Sequence, residues 1–76
     1  MRVFKSKDER EYIKAFKRLS RVSPDQRLAW ADSSLWAIQG VLDEYRRSGT
    51  PEALSEARTG VLGLLASVDS LLDNHR

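Results

Sequence analysis

Three short strings punctuate the chain and leave room for little except helices between them. SKDE, at 6–9, places a serine three residues before a glutamate. That is the capping-box spacing, in which each side chain satisfies a free backbone N–H at a helix start. SPDQ, at 23–26, repeats the spacing with Ser23 and Gln26. Its Pro24 falls at the first helical position, where a missing N–H costs nothing. TPEA, at 50–53, offers a similar start with Thr50, Pro51 and Glu52, behind Gly49. That glycine is placed to be the left-handed residue ending the helix before it. The spacing predicts helices over about residues 7–21, 24–48 and 51–74. No segment alternates like a strand and no unit repeats.

At about 100° per residue, the first helix gathers Tyr12, Ala15, Phe16, Leu19 and Val22 on one face, with Ile13 at its edge. The third gathers Leu54, Ala57, Val61, Leu64, Leu65, Val68, Leu71 and Leu72. The second has a wider arc, through Leu28, Ala31, Leu35, Ile38, Leu42 and Tyr45 to Val41, Ala37 and Trp30, which suggests a helix packed against two neighbours. Short connections make sequential helices antiparallel. The expected fold is therefore all-α: one domain over 1–76, a small antiparallel three-helix bundle with helices 2 and 3 forming a long hairpin.

A chain of this length buries only about 60% of its unfolded surface. With no cysteine it has no disulfide or thiolate metal site to help it, so support must come from well-formed helices or from a second chain. Its opening, MRVFKSKDER, lacks the apolar run of a secretory signal. Its longest apolar stretch, VLGLLASV, falls short of the roughly 20 residues of a membrane span. A cytoplasmic protein is the expectation.

The two tryptophans in WADSSLWAIQG (30–40) raise the question of a partner. Trp30 lies on the apolar arc. Trp36 is rotated from it by about 240°, among Asp32, Ser33, Gln39, Gly40 and Asp43. In a hairpin turning at 48–50, Trp36 is level with Leu62, which together with Ala66 also lies outside its helix's stripe. Helix 1 covering the Trp30 side would leave Trp36, Gly40, Leu62 and Ala66 as an outward patch, with Tyr45 at the less covered end of the hairpin. The alternatives exchange the two sides, or lay Val3 and Phe4 over Trp36. Gly60, Gly63 and Ser67 form a strip of small residues on helix 3, where each glycine costs about 1 kcal/mol against alanine. Close approach by something bulky is the expected return.

The net charge of +2 is unevenly spread. Residues 1–21 hold eight basic and three acidic side chains, and the remainder holds five and eight. Lys7, Arg10, Lys14, Lys17, Arg18 and Arg21 fall within one arc of helix 1. Like-charge neighbours at i, i+4 repel mildly, and a polyanion would relieve that repulsion. The opposing reading is a solvated face, with acids near the helix start and bases near its end complementing the dipole. No nucleic-acid motif accompanies the arc.

Catalytic and cofactor patterns are lacking. His75 has no second histidine or cysteine with which to share a metal. Gly60 and Gly63 sit inside a helix and precede no lysine, unlike a phosphate loop. No nucleophile has a base at a suggestive spacing. The sequence thus points to a non-enzymatic protein-interaction module without a cofactor, self-associating through the helix 2/helix 3 hairpin. The competing expectation is a nucleic-acid-binding accessory protein using the basic face of helix 1.

Overall fold

The computed structural model describes residues 6–75, with side chains from residue 7 onward. The described residues form three helices, α1 (Ser6–Leu19), α2 (Pro24–Ser48) and α3 (Pro51–Asp73). The expected SKDE cap and the arm at Val3 and Phe4 lie outside the described side chains. The expected bounds hold for α2, while α1 and α3 stop slightly early. The end of α1 tightens: Arg21 N–H donates to the Arg18 carbonyl (3.2 Å) and Val22 N–H to that of Leu19 (3.1 Å). Such i to i+3 bonds close a helix by using up its last carbonyls.

The capping chemistry is present at the α1–α2 corner. Ser23 is extended, and its Oγ accepts the Gln26 N–H at 3.3 Å. Gly49 ends α2 at φ 67° and donates its N–H to the Tyr45 carbonyl at 2.7 Å. Thr50 departs from expectation and makes no side-chain cap. Its hydroxyl lies 3.0 Å from that of Ser48, which is spent on the hairpin turn instead.

The three helices form a layer with α3 in the middle. α2 and α3 pack along their length, α1 packs on α3, and α1 and α2 barely touch. The molecule is correspondingly thin, 41 × 28 × 18 Å. This corrects the expectation that the wide arc of α2 serves two neighbours. It is α3 that has two, and α2 has one. Running up, down and up, α1 and α3 point the same way.

α3 can sit between two helices because its packing faces are built from small residues. The described buried set is Leu19, Ala31, Ala53, Ala57, Leu62, Ala66, Ser67 and Ser70. A Cβ placed on Gly60 would stand 2.7 Å from Cγ1 of Ile38, so α2 is already in contact there. Gly63 receives Trp30, whose Nε1 would lie 3.7 Å from an added Cβ. Ser67 Oγ donates to the Gly63 carbonyl (3.0 Å), and Ser70 Oγ to that of Ser67 (2.8 Å). Bonded within their own helix, these hydroxyls can be buried. No buried side-chain polar atom among the described residues lacks a partner, which avoids the cost of an orphaned group.

One long-range polar link ties the layer at its α1–α2 corner. The Arg27 guanidinium donates to the carbonyls of Ser20 (3.2 Å), Val22 (3.1 Å) and Ser70 (2.8 Å). It thus gathers carbonyls from the end of α1, the turn, and the last turns of α3. A cation suits the negative end of a helix dipole.

Two stability predictions follow from these contacts. Alanine at Gly40 meets nothing within 4 Å, and at Gly63 only ordinary contacts. Each should stabilise by up to about 1 kcal/mol through helix propensity. Gly60→Ala should instead destabilise, because the Ile38 branch cannot swing away as a flexible tip would. Urea denaturation of the three variants checks the sign. Ser23→Ala should cost about 1 kcal/mol by freeing the Gln26 N–H at the start of α2, read as a lowered midpoint at unchanged slope.

Candidate interaction surface

The layer has two unlike faces. On one, α1 and α2 border a groove of about 290 Å³ floored by Gly60 and Gly63, with Lys14, Arg18, Trp30 and Ser34 on its walls. Since the Trp30 flank of α2 turns toward this groove, the opposite flank, carrying Leu28, Leu35 and Leu42, turns to the other face. Leu65 and Leu72 of α3 border Tyr12, Ile13 and Phe16 on that same other face.

This second face is open and apolar. Ile13, Leu28, Leu35, Leu54, Val61, Val68 and Leu72 are each 43–55% exposed. Leu28, Leu35 and Leu42 recur every seven residues along α2. On α3, Leu54, Val61, Leu65, Val68 and Leu72 fall on the three-and-four spacing of a heptad seam, with Arg58 at the position between Leu54 and Val61. A second seam of the same spacing, Ala53, Ala57, Gly60, Leu64, Ser67 and Leu71, faces α2. The sequence places these residues on apolar helix faces, but stripe width alone does not separate a buried seam from an open one.

The expected interface residues divide. Trp36 is 80% exposed, Gly40 has open space around it, and Tyr45 is about one-third exposed. Leu62 and Ala66, however, are buried at 3% and 0%, so they belong to no outward patch. They lie on the face of α3 diametrically opposite α2, and that is where α1 packs. Trp36 likewise points directly away from α3. The two deviations therefore lead to opposite edges of the layer, and the shared level of Trp36 and Leu62 brings nothing together. Trp30 is not a fully enclosed core ring: it lies against Gly63 but stays 39% exposed at the groove.

Lys7, Arg10, Lys14, Lys17, Arg18 and Arg21 are all exposed, and none pairs with an acid among the described residues. Lys17 and Arg21 border Ile13 and Phe16 on the open face, whereas Lys14 and Arg18 border the groove. The outer edge of α2 carries Asp25 and Asp32, both exposed. Asp43 and Glu44 are already engaged with Arg46 and Arg47 of the same helix.

The Tyr12 hydroxyl donates to Asp69, joining α1 to α3 beside a tilted Tyr12–Phe16 ring contact. Desolvation, reinforced by the hydrogen bond and by the negative charge of Asp69, raises the phenol to about 12. No group of three or more potential metal ligands occurs among the described residues. No helix among them is long and apolar enough to cross a membrane.

Because the folded phenol holds its proton more tightly than the unfolded one, its contribution is fully present below pH 10. It is lost as pH rises through about 12. Tyr12→Phe should cost about 1 kcal/mol at neutral pH and should remove that alkaline decline. Denaturation midpoints of both proteins between pH 8 and pH 12 check it. Comparison with known proteins finds no matching family, curated protein or solved structure.

Proposed function

We propose that this chain is a non-enzymatic interaction module that self-associates through the open face of the α2/α3 hairpin. The observation that carries the reading is the inversion of sizes between core and surface. The buried set is mostly alanine and serine, while seven large apolar side chains stay about half-exposed on one side. Isolated exposed leucines need no explanation, but a contiguous patch does. Together these side chains present on the order of 600 Å² per chain, approaching the roughly 800 Å² per partner of a standard interface. The small domain gains the burial it lacks when a second copy covers them.

The surface differs from the one the sequence suggested. Leu62 and Ala66 are replaced by Leu28, Leu35, Leu54, Val61, Val68 and Leu72, with Tyr45 at the far end and Trp36 on the outer edge. One observation favours a second reading, in which the basic face of α1 meets a polyanion: all six cations are exposed and unpaired within the described residues. Retention on nonspecific DNA that falls steeply with salt would support it, and no retention at low salt would remove it.

Wild type should sediment as a dimer at micromolar concentration. Leu35→Ser combined with Val61→Ser should sediment as a monomer while keeping helical circular dichroism, because both side chains face outward. A wild type monomeric at every accessible concentration would overturn the reading, as would a double variant that stays dimeric.

A further inference from the structure

We infer that two copies associate about a two-fold axis parallel to the helices, so that the basic edge of α1 lies over the acidic edge of α2 of the partner. This inference rests on the self-association reading and adds the arrangement. Two layers meeting face to face as an isologous pair can be related by a two-fold axis in the plane between them, either along the helices or across them.

An axis across the helices stacks α1 on the partner's α1. The partner's helices then run antiparallel, so Arg10, Lys17 and Arg21 share one edge with the partner's basic arc and Asp25 and Asp32 share the other edge with its acids, and neither edge meets opposite charge. Like charges brought together across an interface cost several kcal/mol and suppress that arrangement. An axis along the helices exchanges the two edges instead. It sets α1 over the partner's α2 at the level the two helices already share within one chain. Counting from the turn at 20–23, and at about 1.5 Å per residue, Lys17 comes level with the segment between Asp25 and Leu28. Arg10 comes level with the stretch around Asp32. Both acids are exposed and unpaired among the described residues. Trp36 stands on this same edge, where an arriving guanidinium or ammonium can lie on its face.

The middle of the layer agrees. Under the same axis α3 meets the partner's α3 in parallel, each residue opposite its own copy, and Leu54, Val61, Leu65, Val68 and Leu72 have the spacing of a parallel two-stranded seam. Arg58 interrupts that seam in sequence but turns toward α1, where it pairs with Asp8. The basic arc of α1 is thereby a contact between chains.

Sedimentation equilibrium of charge-reversed chains tests the arrangement. Arg10→Glu with Lys17→Glu should weaken dimerisation at least tenfold, as should Asp25→Lys with Asp32→Lys. The chain carrying all four changes should return to the wild-type association constant. All are surface changes, and circular dichroism confirms the fold. Because the chain has no cysteine, Leu54→Cys and Leu72→Cys supply an independent readout. Each alone should form a disulfide-linked dimer under mild oxidation. If only a mixture of the two cross-links, α3 meets its copy antiparallel and the arrangement is overturned. Reversals without effect, or a fourfold variant that fails to recover, overturn it as well while leaving self-association standing. A monomeric wild type removes both.

Discussion

The closeness with which α3 admits its neighbours governs everything else in this molecule. Ala53, Ala57 and Gly60 let α2 in, and Ala66 lets α1 in beside Leu62. Helix pairs held this near bury backbone and small side chains efficiently and leave room between them for only a few large ones, such as Leu19 and Leu62. Many of the remaining leucines and valines go elsewhere. On α3 the direction left to them is the one facing neither α1 nor α2, and there Leu54, Val61, Val68 and Leu72 collect. A core of alanine and serine and an outer face of leucine and valine are thus two consequences of one packing choice.

That choice has an energetic cost in an isolated chain. Burying a leucine fully stabilises by about 1.5–3 kcal/mol relative to exposure, and here most leucines collect only part of it. Serine and alanine contribute far less by burial, and the hydroxyls of Ser67 and Ser70 only break even through bonds inside their own helix. Specific polar contacts add to the definition of the fold. Arg27 joins three backbone carbonyls from two helices and a turn, and Tyr12 fixes α1 on α3 through Asp69. These links set the position of α1, which otherwise rests on few large side chains. Covering the open face with a second copy would supply the missing apolar burial without disturbing them.

Charge placement follows the same geometry. α1 lies at one edge of the layer and α2 at the other, so most of the basic arc stands on the edge opposite Asp25 and Asp32. Within one chain they cannot neutralise each other. The separation leaves the two edges opposite in charge, and among the described residues the basic arc makes no ion pair with Asp25 or Asp32.

Local chemistry was enough to determine the helices. Ser23 with Pro24 started α2, Gly49 ended it, and the apolar period placed every helix, because caps, turns and amphipathic faces act over a few residues. The absence of a strand pattern and the long hairpin were legible for the same reason. The order of packing was decided only in three dimensions. The wide arc of α2 read as a helix with two neighbours, yet α3 took the centre, since small residues at Gly60, Gly63 and Ala66 outweigh arc width in allowing close approach. That switch buried Leu62 and Ala66, sent Trp36 to an edge, and opened the heptad row of α3. A sequence specifies which side chains share a helical face. Which of those faces meets another helix depends on the competition among all of them for the same neighbours, and only the assembled structure resolves it.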